Sequence, residues 1–130
     1  MKTTILYIDD EAGCLRLFEE MFGGEYEVRT ATTLADARRL LTEYPADIII
    51  SDQNMPEIKG TDFLIEVAAT QPSSYRVLLT GNFTVGDAIT EIGAGIVHLF
   101  ITKPWTMENM CKALGRASLS VAVQRGANEE

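Results

Sequence analysis

Four apolar runs of strand length in this chain end on side chains that can do chemistry. Thr4–Ile8 runs into Asp9-Asp10-Glu11, and Asp47–Ser51 runs into Asp52-Gln53-Asn54-Met55-Pro56. Tyr75–Thr80 closes on a hydroxyl ahead of Gly81-Asn82, and Val97–Ile101 runs into Thr102-Lys103-Pro104-Trp105. Each has an ordinary use on its own: an aspartate caps a helix or begins a turn, a threonine caps, a lysine sits in solvent. Together they sort into an acid pair, a single acid, a hydroxyl and a cation. Three neighbouring carboxylates repel, so the set takes up a proton or a cation. Mg²⁺, with Mn²⁺ able to substitute, suits a few carboxylates plus a phosphate. A carboxylate can itself be the nucleophile and become an acyl phosphate. Phosphoryl transfer then asks mainly for alignment and neutralisation of charge, which a divalent ion, Lys103 and Thr80 would supply. These residues would suffice to phosphorylate one aspartate.

The elements that must bring them together follow from hydrophobic spacing. Ile48-Ile49-Ile50 has no polar face, as a strand buried on both sides requires. Thr4–Ile8 reads as a buried strand and Tyr75–Thr80 as a fourth strand, while Tyr26–Ala31 alternates and reads as a strand nearer an edge. Helical spacing connects the strands. Leu15, Leu17, Phe18, Met21 and Phe22 precede the stop at Gly23-Gly24. Leu34, Ala37, Leu40 and Leu41 follow a cap at Thr32 or Thr33 and end near Pro45. Phe63, Leu64 and Val67 lie on a helix from about Thr61 to Thr70. A weak fourth helix is predicted over about 84–92, rich in β-branched residues and containing Gly86. The last helix starts near Thr106 and carries Met107, Met110, Cys111, Leu114, Ala117 and Val121. Residues 124–130 read as a polar tail or the start of a linker. Five strands alternating with five helices predict a single flavodoxin-like (βα)5 domain, a doubly wound parallel sheet of order 2-1-3-4-5. Its switch point would lie between the first and third strands, where Asp9, Asp10 and Asp52 would converge.

The totals agree. With 130 residues the chain can bury one core, and 46% hydrophobic with 23% charged residues is ordinary for a globular domain. A net charge of −8 disfavours direct grip on nucleic acid or an anionic membrane. Cys14 and Cys111 lie on separate predicted helices without a CxxC, which argues against a disulfide framework or a zinc site. No signal-peptide pattern and no apolar stretch of spanning length is found, so a cytoplasmic protein is expected.

At this point the sequence resembles the receiver domain of two-component response regulators, over essentially its whole length. The matching residues are Tyr7-Ile8-Asp9-Asp10-Glu11, Ser51-Asp52-Gln53-Asn54-Met55-Pro56, Gly60, Leu79-Thr80-Gly81 and Thr102-Lys103-Pro104. The resemblance implies a receiver unit over residues 1–123 with Asp52 as phosphoacceptor. Asp10, Asp52 and the Asn54 carbonyl would ligate Mg²⁺, with Asp9 acting mostly through water. Thr80 and Lys103 would hold the phosphoryl group, and the Lys103–Pro104 bond would be cis. Phe100 stands where family members often carry a Tyr or Phe that moves on activation. Lacking a hydroxyl, it could switch only through packing. Asn54 and Asn82 occupy positions that tune phosphate lifetime. The implied partners are a sensor histidine kinase or phosphotransfer protein, and an output domain or downstream protein. The implied contact face, also used for homodimers, is the fourth helix, fifth strand and fifth helix. Trp105 after Lys103-Pro104 resembles receivers joined to larger outputs.

Two rival functions use the same residues. An aspartyl-nucleophile phosphatase would place its nucleophile after the first strand in Asp-x-Asp and would need room for a substrate cap. A phosphate-independent binding module would not need an intact acid set. His98, the single histidine, reads as a strand-end residue, because the family's phosphohistidine belongs to the kinase. Gly93-Ala94-Gly95 lacks the third glycine of a dinucleotide loop and precedes a strand.

Overall fold

In the computed structural model, which describes residues 2–81 and 94–129, the chain forms one five-stranded sheet. The strands are β1 (Thr4–Ile8), β2 (Glu27–Ala31), β3 (Ile48–Asp52), β4 (Tyr75–Thr80) and β5 (Leu99–Thr102). All neighbours pair parallel, in the order β2-β1-β3-β4-β5. The crossovers include α1 (Ala12–Phe22), α2 (Leu34–Glu43) and α3 (Gly60–Thr70), and a C-terminal helix spans Met107–Glu129. The single flavodoxin-like domain of order 2-1-3-4-5 is thus the fold. The predicted helix over 84–92, and Asn82, lie outside the described residues.

The period of two along each strand divides the core in two. Ile5, Tyr7, Ile48, Ile50, Val77 and Leu79 pack with Leu15, Phe18 and Phe22 of α1 and with Met110, Leu114 and Ala117 of the C-terminal helix. Leu6, Ile8, Ile49 and Leu78 face the other way, onto Ala37 and Leu41 of α2 and Phe63, Leu64 and Val67 of α3. The unbroken isoleucine run is therefore buried on both faces. Thr33 caps α2, its side chain accepting from the Asp36 N–H at 3.2 Å.

Several boundaries differ from expectation, each for a local reason. Strand β3 begins at Ile48, because Asp47 turns its carboxylate to the Thr4 N–H (3.0 Å) and hydroxyl (3.1 Å) instead of extending the strand. It extends to Asp52, which opposes Leu79 in the ladder. Strand β5 starts at Leu99 rather than Val97. There the Arg76 N–H goes to the His98 ring, Nδ1 accepting at 2.9 Å, and not to a backbone carbonyl. Leu17, predicted on the apolar stripe of α1, is exposed. The polar segment after 123 continues the C-terminal helix to Glu129, and Arg125 reaches the Asp47 carboxylate at 2.6 Å. No described helix is long and apolar enough to cross a membrane.

Candidate functional site

The strand ends build the site. Register places Ile8 beside Ser51 and Asp52 beside Leu79, so residues following β1 and β3 emerge side by side. Asp9, Asp10 and Asp52 each offer a carboxylate oxygen within 4.8 Å of the others. Asp9 is fully buried, Asp52 is nearly so, and Asp10 is exposed. Lys103, just past β5, places Nζ 3.0 Å from Asp9 Oδ2, 3.3 Å from Asp52 Oδ2 and 3.8 Å from Glu11 Oε1. A cleft of about 490 Å³ lies over them, with Asp10, Asp52, Asn54, Lys103 and Trp105 in its wall.

The loop after Asp52 is fastened from below. The Gln53 side chain accepts the Thr61 N–H (2.8 Å) at the start of α3, and the Gly60 N–H donates to the Gln53 carbonyl (3.0 Å). Gly60 is buried hard against this loop. A Cβ there would collide with the Asp52 carbonyl and come within 2.9 Å of Gln53 Cα. A residue without a side chain is what lets α3 begin directly beneath the acid.

The charges are mutually perturbed. Burial raises the Asp52 carboxyl above its ordinary value, as does the Asp9 charge, while Lys103 pulls it back. Burial works against the Lys103 ammonium, but its hydrogen bond to Asp9 and the charges of Asp9 and Asp52 outweigh this and hold it above its usual range. Three hard oxygen donors of this kind fit an oxygen-seeking divalent cation such as Mg²⁺.

Thr80 is buried at the end of β4, and its carbonyl accepts the Lys103 N–H at 3.0 Å. The Lys103–Pro104 bond is cis. Phe100 is set apart: it pairs with Leu78 in the ladder and packs, half-buried, on the α2/α3 side of the sheet. His98 stands just before β5, stacked on Tyr75 at 4.9 Å, away from the acids.

Sequence reading missed Tyr7 and Gln53. The Tyr7 hydroxyl donates to Asp9 Oδ2 at 2.9 Å from inside the core. The signal was present: residues two apart on a strand share a face, and a buried tyrosine needs a partner for its hydroxyl.

A parallel α/β sheet with an acid cluster and a lysine at its switch point defines a doubly wound α/β domain whose candidate binding site lies at one rim. The model of the response regulator receiver domain matches residues 5–115, and the chain belongs to that family. It is 28% identical over 116 residues to the hydrogenase transcriptional regulatory protein HoxA of Cupriavidus necator, covering 89% of this chain and 24% of HoxA. It is 32% identical over 126 residues to the transcriptional regulatory protein KdpE of Mycobacterium tuberculosis, covering 95% of this chain and 52% of KdpE. The chain thus spans between a quarter and about half the length of these curated relatives. The crystal structure of the chemotaxis protein CheY4 of Vibrio cholerae matches with a TM-score of 0.81 at 25% identity, over 90% of this chain and 99% of that one. Family membership makes the domain a switch in phosphorylation-controlled signalling rather than a classical enzyme.

Proposed function

We propose that Asp52 is the phosphoacceptor of this receiver. The observation that carries the reading is the convergence of the Asp9, Asp10 and Asp52 carboxylates within 4.8 Å, with the Lys103 ammonium 3.3 Å from Asp52. An Asp52 carboxylate oxygen attacks phosphorus, a P–O bond forms, and the P–N bond to a phosphohistidine of a sensor kinase or phosphotransfer protein breaks, the imidazole leaving neutral because its other ring nitrogen already carries a proton. Asp10, Asp52 and the Asn54 carbonyl would hold Mg²⁺, with Asp9 acting through water, and the ion would supply positive charge to offset that on the transferred group. Lys103 pairs with the phosphoryl oxygens and the Thr80 hydroxyl donates to them. Asn54, on the cleft wall, and Asn82 bear on how long the acyl phosphate lasts.

The phosphoryl group adds about 1.5–2 negative charges, and pairing with it draws on Lys103 and Thr80. Phe100 shifts in response. The surface of β5 and the C-terminal helix then meets an output domain, a downstream protein or a second copy of the chain. Residues 1–123 act as the receiver unit, and 124–130 as a polar tail or the start of a linker to an output domain. Inverting a 1:99 equilibrium to 99:1 requires about 5.5 kcal/mol of differential interaction.

Mass spectrometry after incubation with acetyl phosphate and Mg²⁺ tests the assignment. Labelling is expected on Asp52 and absent in Asp52→Asn; undiminished labelling of that variant would overturn the reading.

A further inference from the structure

We infer that Tyr7 is a positioning residue of this cleft: its hydroxyl fixes the Asp9 carboxylate, and through it the place from which the Lys103 ammonium reaches Asp52. The inference rests on the roles proposed above for Asp52 and Lys103.

Asp9 is fully buried and its two oxygens are held differently. Oδ1 accepts the Glu11 N–H at 2.9 Å. Oδ2 accepts both the Tyr7 hydroxyl at 2.9 Å and Lys103 Nζ at 3.0 Å. The Glu11 amide is backbone at the start of α1, and the Tyr7 ring is wholly enclosed and meets Phe18 edge-on at 5.1 Å. Two anchored donors on two different oxygens define the plane of the carboxylate. With one of them gone, the terminal torsion of an aspartate is broad and the plane is free to turn. Lys103 cannot supply the missing constraint, because its ammonium rides on a flexible four-carbon stem and takes its position from what it binds. A phenol is well suited to this task. It donates one hydrogen bond without adding charge, so the negative potential that draws a cation and Lys103 to the cleft is kept.

Tyr7→Phe removes the hydroxyl and keeps the ring against Phe18. Phe18→Leu weakens the same packing and leaves the hydroxyl, so it separates a loss of stability from a loss of position. Four quantities are read in both variants: the melting temperature, the rate of Asp52 labelling by acetyl phosphate at saturating Mg²⁺, the Mg²⁺ concentration for half-saturation, and the nitrogen NMR signal of the Lys103 ammonium in metal-free protein. Tyr7→Phe is expected to slow labelling about tenfold, as small misplacements of a charged group do, and to shift or broaden the Lys103 signal. Its half-saturating Mg²⁺ should change by less than a factor of about two, since the hydroxyl bonds an oxygen already committed to Lys103. Phe18→Leu should lower the melting temperature and leave rate and signal in place. If Tyr7→Phe likewise lowers only the melting temperature, the inference is overturned. If the wild-type protein is not labelled on Asp52, the phosphoacceptor assignment fails instead, and the metal-free Lys103 signal still decides the role of Tyr7.

Discussion

The Lys103 ammonium lies nearer to Asp9 (3.0 Å) than to Asp52 (3.3 Å), so the buried acid that follows β1 is its principal partner. Lys103 is the cation that lets three carboxylates share one cleft. Replacing it by methionine leaves Asp9 buried without its counter-charge. Breaking a buried pair by removing one partner costs about 3 kcal/mol or more, and Lys103→Met should fall in that range at neutral pH. Millimolar Mg²⁺ should return part of the loss, because it replaces the missing positive charge. Thermal melts with and without the ion check this, and an unchanged melting temperature without Mg²⁺ would contradict it.

Asp52 behaves in the opposite sense. Its carboxyl is raised, first by burial and then by the Asp9 charge, so the folded protein binds its proton more readily than the unfolded chain does. The stability from this group is present at low pH and lost as pH rises through the raised value. Asp52→Asn should therefore melt above wild type at neutral pH without Mg²⁺ and gain less from added Mg²⁺. Calorimetric melts at pH 7 across a Mg²⁺ series decide it.

His98 carries a second pH dependence, distant from the acids. Its Nδ1 accepts the Arg76 N–H, which requires the neutral ring, and burial with the nearby Arg76 charge lowers its pKa from the ordinary 6.5. The folded state resists taking this proton. Its contribution is complete above 6.5 and is lost as pH falls through that value toward the depressed one. His98→Asn keeps an acceptor and does not titrate, so its stability should vary less than wild type between pH 7 and 5. Denaturant midpoints across that range measure the difference; parallel curves would refute it.

Gly60 is expected to tolerate no side chain. A methyl group there meets backbone on the Asp52 side and Leu78 Cδ1 at 2.8 Å, and backbone cannot give way as a flexible side chain can. Overpacking of this kind costs about 1–3 kcal/mol, and Gly60→Ala should also slow labelling of Asp52 by shifting its loop. Urea titration and labelling kinetics on the same preparation test both effects.

Much of this was readable from residue types alone. Short, β-branched apolar runs such as Ile48-Ile49-Ile50 read as two-sided strands, and parallel crossovers then leave few strand orders. Asp9, Asp52 and Lys103 were found because they end such runs. Tyr7 was missed because its ring belongs to the core pattern and its hydroxyl to the site, and spacing reports only the first. The end of the C-terminal helix was misread because Gln124 and Arg125 look like tail. Their helical state goes with an ion pair to Asp47, a residue nearly eighty positions earlier in the chain.

That long final helix has a mechanical consequence. It begins three residues after Pro104, which lines the acidic cleft, and its Arg125 clasps Asp47 at the far margin of the sheet. From Met107 to Arg125 the distance is about 27 Å at 1.5 Å per residue. Both poles of the molecule are thus joined by a single stiff strut, and a small tilt at its first turn becomes a displacement at its last.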